Sequence, residues 1–193
     1  MSSIRLYVLS SLAERGPLHG HALRALAEQE HVDEWADVTT GALYGALKRM
    51  LAEGLVEIER TERAGNYPER QVYRITEAGV VAMTAIREEI FRRVRLAKDP
   101  FDLALSRLDP DRVDGLADGL RARRDALQRE LDEHRERIER IGQAYLWRAE
   151  QLVWEHLIRR LETEVSWHDE LLSQVDDIIV DERERRRRKG DKA

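Results

Sequence analysis

The stretch that decides the fold is TTGALYGALKRM, residues 39 to 50. Leu43, Ala46, Leu47 and Met50 recur at intervals of three and four, the spacing that gathers side chains on one face of a helix. Thr39 or Thr40 stands where an N-cap belongs. Two glycines interrupt an otherwise well-formed helix, and each costs about 0.5–1 kcal/mol relative to alanine. Gly41 and Gly45 fall with Tyr44 and Lys48 on the face opposite the apolar one, at i, i+3, i+4 and i+7. A face without Cβ atoms can lie close against a crowded surface, and the N–H groups of the first turn favour phosphate. The plainer reading makes Gly41 part of the cap and lets Gly45 avoid a neighbouring helix.

Working outward, a first helix is expected around Ile4, Tyr7, Val8, Leu9 and Leu12, broken by Gly16 and Pro17. A second runs from about His19 to Gln29, with Leu23, Leu26 and Ala27 inward, and the polar stretch HVDEWADVTT leads into the third. Gly54 is placed to end that third helix as its C′ residue. LVEIERTE (55–62) alternates with period near two from Leu55 to Glu59, RQVYRIT (70–76) has Val72 and Ile75 as apolar anchors around Tyr73, and RAGNYPE between them is rich in turn residues, so together they read as a β-hairpin. A long helix from Thr76 to about Lys98 follows, until KDPFD stops it at Pro100. Beyond Val113, Leu116, Leu120, Leu127, Leu131, Ile138, Ile141 and Tyr145 form a heptad-like, coiled-coil seam. A last helix carries Leu157, Leu161, Val165, His168, Leu172, Val175 and Ile179, and the basic tail from residue 183 reads as disordered. No internal repeat is present.

The expected fold is therefore mainly α. A winged helix-turn-helix, three helices plus a two-stranded wing, is followed by a long-helix dimerisation domain. The boundaries fall at 1–98 (DNA-binding domain with linker helix), 99–182 (helical dimerisation and effector domain) and 183–193 (basic tail). In such a plan the third helix enters the major groove of double-stranded DNA. The hairpin adds Arg60, Arg63, Arg70 and Arg74 among Glu57, Glu59, Glu62 and Glu69; its tip could straddle the backbone or reach the minor groove, or be a salt-bridged turn.

Composition bounds the rest. The 193 residues are 42% hydrophobic and 37% charged, a balance suited to long, exposed helices, and the net charge of −5 does not exclude nucleic acid because local charge decides that contact. There is no cysteine, which removes disulfides and thiolate metal sites and fits a reducing cytoplasm. No run is long enough to span a membrane, and the apolar part of the first fourteen residues is short for a signal peptide. No phosphate-binding loop, nucleophile elbow or zinc-protease motif occurs, so neither an enzyme nor a cofactor is expected. His19 and His21, or His156 and His168, lack the three or four ligands zinc needs, so no metal is expected.

LSSLAERGPLHGHALRALAE, TTGALYGALKRMLAEGLVE and VYRITEAG together resemble the PadR family of transcriptional regulators over about Ile4 to Ala85. The trailing helices are similar to the longer-tailed branch of that family. The resemblance implies a winged-helix domain, a helical dimerisation region, a repressor in most cases, and release by small phenolic or drug-like ligands. The family's G-x-L-Y motif falls on Gly41, Leu43 and Tyr44, its basic helix end on Lys48 and Arg49, and its wing arginine and tyrosine on Arg70 and Tyr73. Ala42 stands where threonine is frequent, Gly45 where proline is, and Gln71 and Val72 replace a more basic and aromatic pair.

The expected function is a cytoplasmic DNA-binding regulator, acting as a repressor that binds a pseudo-palindromic operator as a homodimer. Its DNA-binding residues are Thr40, Gly41, Ala42, Tyr44, Gly45, Lys48, Arg63, Asn66, Arg70 and Tyr73. Dimerisation falls to Leu116, Leu120, Leu127, Leu131, Ile138 and Ile141, with Arg123 or Arg124 and His134 as polar interruptions that either fix register or lie at solvated edges. Tyr145, Trp147, Trp154 and Trp167 either line a site for a small aromatic or drug-like effector or anchor the dimer interface. The alternative is a helical protein-interaction module whose winged helix does not bind DNA specifically.

Overall fold

The computed structural model describes residues 3–34, 38–63, 69–94, 96–142 and 146–190. Two compact units divide it, Met1–Ala97 and Lys98–Ala193.

In the first unit, α1 (Ser3–Arg15), α2 (Gly20–Gln29) and α3 (Thr40–Ala52) precede the strands β2 (Val56–Glu62) and β3 (Arg70–Ile75), and α4 (Glu77–Arg92) follows. A two-residue strand, β1 (Leu18–His19), pairs antiparallel with β3, so the expected two-stranded wing is part of a three-stranded sheet of order β1-β3-β2. Between β2 and β3 the register slips between Ile58 and Arg60, a bulge at Glu59.

The core of this unit is the inward face read from the sequence. Leu43, Ala46, Leu47 and Met50 are buried from α3, against Val8, Leu9 and Leu12 of α1, Leu23 of α2, Val56 of β2 and Ile86 of α4. The buried Tyr7 hydroxyl donates to the Leu23 carbonyl at 2.7 Å and ties α1 to α2; burial pushes its phenol pKa up. Thr39, not Thr40, caps α3, its Oγ1 accepting from the Ala42 amide at 3.2 Å. At the other end Gly54 has φ +72°, its amide donates to Leu51 and that of Leu55 to Met50, the paired bonds of a Schellman stop. The helix expected to reach Lys98 ends at Arg92, because Arg93 is already extended (φ −90°, ψ 108°).

In the second unit α5 (Pro100–Leu105) begins at Pro100, which occupies N1 behind an Asp99 cap: the proline that was expected only to stop a helix starts one. Next come α6 (Leu116–Ile141), α7 (Arg148–Ser173) and α8 (Val175–Gly190). Leu120 packs with Leu171 and Val175, and Leu131 with Leu161 and Val165, so α6 and α7 run antiparallel. Part of the seam is thus covered within the chain, by α7 and α8. Leu120 and Leu131 are buried inside one chain, with Leu116 and Leu127 packed beside them, while Ile138 and Ile141 are half-buried.

Arg123, Arg124 and His134 are not solvated edges. Arg123 reaches His168 and Asp99, Arg124 holds Asp169 at 2.8 Å, and His134 is buried with Nδ1 2.7 Å from the Glu130 carbonyl. The single last helix expected through Ile179 is two, parted at Gln174. The tail expected to be disordered from residue 183 is helical to Gly190. Ion pairs from Arg183 to Asp114 and from Arg186 to Asp111 hold it, and Ile178 and Ile179 pack on the cluster around Leu120.

Candidate nucleic-acid interface

With one face of α3 committed to the core, its other face is Thr40, Gly41, Tyr44, Gly45 and Lys48. Thr40, Gly41 and Lys48 are exposed, and Tyr44 retains 46% of its surface. The two glycines can now be read. A Cβ built on Gly41 would meet nothing within 4 Å, and one on Gly45 would meet only the guanidinium of Arg49, at 3.3 Å. Neither glycine makes room for a neighbouring helix, so packing within the described chain does not account for them. Lys48 makes no ion pair among the described residues.

Ala42 differs from the expectation. It is half-buried and packs on the core, because its position on the wheel adjoins Leu43 and Ala46. Tyr73 also leans inward: it packs on the same core, opposite Leu18 and Ile58 in the sheet, and its hydroxyl donates to Gln71 Oε1 at 2.9 Å. Burial, and then the neighbouring Tyr44, push its phenol pKa up.

Arg60 is held by Glu62 at 2.7 Å and by Glu59 at 2.8 Å, which raise its pKa, and Arg74 is paired with Glu57. These two are the salt-bridged turn of the alternative reading. Arg63 and Arg70 are exposed at the two ends of the wing tip. Asn66 lies outside the described residues.

Sequence reasoning missed two residues at this site. His19, discounted as a metal ligand, caps α2: its Nδ1 accepts from the Ala22 amide at 2.9 Å. Gly20, the first residue of α2, is buried directly beneath the Tyr44 ring. The clue to His19 was its place just before an apolar-periodic run; Gly20 had none, because its partner is 24 residues away.

The aromatic residues of the second unit do not converge. Trp154 is 3% exposed and lies by His134, with ring centroids 6.2 Å apart, whereas Trp167 lies by Phe101 and His168. Thirteen residues of helix separate the two tryptophans, roughly 20 Å of rise. Trp147 is 81% exposed, and Tyr145 lies outside the described residues. A cavity of about 340 Å³ opens between the end of α6 and the start of α7, lined by Trp154 with Ile138, Leu146, Ile158, Arg148 and Gln151. Among the described residues no group of three metal-ligating side chains occurs, and no helix is long and apolar enough to cross a membrane.

Comparison with known proteins places this geometry. Residues 8–85 match the family described as "Transcriptional regulator PadR-like family". No curated protein matches the chain. Among solved structures, it is similar to Bacillus subtilis PadR in complex with operator DNA (TM-score 0.68, 20% identity, covering 89% of this chain and 98% of that one). It is also similar to the Vibrio cholerae virulence activator AphA (TM-score 0.68, 17% identity, 91% and 99%). A third is Bacillus subtilis PadR in complex with p-coumaric acid (TM-score 0.64, 18% identity, 90% and 99%). At these identities the solved structures establish the fold.

Proposed function

We propose that this chain, whose residues 8–85 match the PadR-like transcriptional-regulator family, is a cytoplasmic, homodimeric repressor that binds a pseudo-palindromic operator through the outward face of α3. One observation carries the reading: Gly41 and Gly45 leave that face without side-chain bulk, yet among the described residues no other element fills the space, and only the Arg49 guanidinium of α3 itself comes near Gly45. Thr40, Gly41, Tyr44, Gly45 and Lys48 meet the groove, and Arg63 and Arg70 meet the backbone from the wing. Ala42 and Tyr73, which pack inward, act from behind as supports.

A dimer places two reading helices about one turn, ~34 Å, apart on the duplex. Its apolar contacts come from side chains that the chain itself leaves open: Phe91, Val94 and Leu96 in the first unit and Trp147, Leu152 and Val153 in the second. The half-buried Ile138 and Ile141 extend that set. Repression is steric, by occupation of a promoter; an operator placed upstream would give activation instead. A small aromatic or drug-like effector would enter the cavity beside Trp154, whose wall also carries Arg148, Glu155, Arg159 and Glu162. It would act by binding one dimer arrangement better than another. Trp167, remote from that cavity, is an anchor for α5.

The test is fluorescence anisotropy with a labelled duplex from immediately upstream of the chain's own gene, against a scrambled duplex, at several salt concentrations. The reading expects tighter binding to the native duplex and affinity that falls linearly in log–log against salt. Equal, weak binding to both at low salt would instead favour the protein-interaction module.

A further inference from the structure

The Tyr44 ring sits where three elements meet. Gly20 begins α2 at the point where β1 ends, and His19 caps the turn between them. Leu18 of β1, two residues before Gly20, pairs with Tyr73 of β3. Tyr44 is thus bordered by the first turn of α2, where β1 ends.

The contact with Gly20 is specific. A Cβ built at position 20 would overlap Tyr44 Cε1 and lie 3.1 Å from Cζ and 3.2 Å from Cδ1, and these are the three nearest atoms it would meet. Gly20 does not have the positive φ that favours glycine; among the described glycines, Gly16, Gly54 and Gly142 do. Alanine would suit the backbone there and would favour the helix. What alanine cannot do is leave the Tyr44 ring where it is. The missing methyl therefore serves a side chain that is half-exposed on the outward face of α3, not a core residue.

We infer that Gly20 is a positioning residue for DNA readout: by admitting the Tyr44 ring against the start of α2, it fixes that ring before DNA arrives. A ring already held loses less freedom on binding, and a contact whose direction is set discriminates among bases better than a mobile one. This rests on α3 being the DNA-contacting helix.

The experiment is a double-mutant cycle of G20A and Y44A, with anisotropy on the labelled upstream duplex used above. Active fraction is taken from titrations at stoichiometric concentration, so that misfolded protein lowers the endpoint without altering Kd. Y44A is expected to weaken binding about tenfold and G20A by several-fold. The double variant is expected to bind no more weakly than Y44A alone, because no ring remains to displace. It is also expected to melt at or above Y44A, since alanine then carries only its helical advantage. Losses that multiply in the double variant, or a G20A protein that binds like the parent while Y44A is weak, would overturn the inference. A Y44A protein that binds like the parent would instead remove Tyr44 from the interface, and with it the premise.

Discussion

The Arg123 guanidinium donates from Nε to Nε2 of His168 at 3.0 Å, and His168 is fully buried. Its other ring nitrogen, Nδ1, lies 2.7 Å from the Glu164 carbonyl, which can only accept. Arg123 can only donate and the carbonyl can only accept, so Nε2 of His168 is the acceptor and Nδ1 the donor. Arg123 also pairs with Asp99 and lies 4.4 Å over the Phe101 ring. One side chain of α6 thus ties α7 to the start of α5, in a polar layer between the apolar clusters around Leu120 and Leu131.

Arg123→Ala should strand a buried acceptor and release the Phe101 ring, destabilising the second unit by about 2–3 kcal/mol. Urea denaturation of the full chain checks this, with DNA affinity per active molecule serving as control. A change within experimental error would mean that solvent or another donor satisfies His168.

Asp99 caps α5 through the Phe101 amide at 2.8 Å, and that bond, followed by Arg123, holds its carboxyl below the ordinary aspartate range. A carboxylate with a depressed folded pKa stabilises the fold above its unfolded pKa, and that contribution is lost as pH falls through the folded value. Asp99→Asn keeps a capping side chain but no charge. It should melt below the parent at neutral pH, and the gap should close on acidification. A gap that stays constant with pH would show that the charge is immaterial.

Gly54→Ala places a Cβ on a residue with φ +72°. The strain should cost about 1–2 kcal/mol, read as a lower melting temperature of the winged-helix unit. No loss would mean that the α3 stop relaxes without it.

Lys48→Ala and Arg70→Ala should each weaken DNA binding and reduce the salt slope by about one. An unchanged slope would place the altered side chain away from phosphate.

Much of this was legible in the sequence because it is local. The inward face of α3, the Gly54 stop and the β2–β3 hairpin follow from spacing and turn chemistry among neighbours, and Leu43, Leu47 and Val72 are buried as the periodicity requires. What escaped was made by distance. β1 is two residues long and exists because Leu18 and His19 find β3. The contact of Gly20 with Tyr44, and the polar layer of Arg123 and His168, join residues that no window of sequence brings together. The basic tail read as disordered because its charges repel in isolation; Asp111 and Asp114 supply counter-charge from far upstream. The tryptophans looked like one site because they share a helix, yet Trp154 and Trp167 face different clusters.

The central claim is that α3 is thin on its outer face for something outside the chain. Gly41→Leu tests it most directly, since a Cβ at that position meets nothing among the described residues within 4 Å. The account predicts a melting temperature no lower than the parent's, with affinity for the upstream duplex reduced at least about tenfold by the intruding side chain. Parental affinity in the leucine variant, with the fold intact, would contradict it.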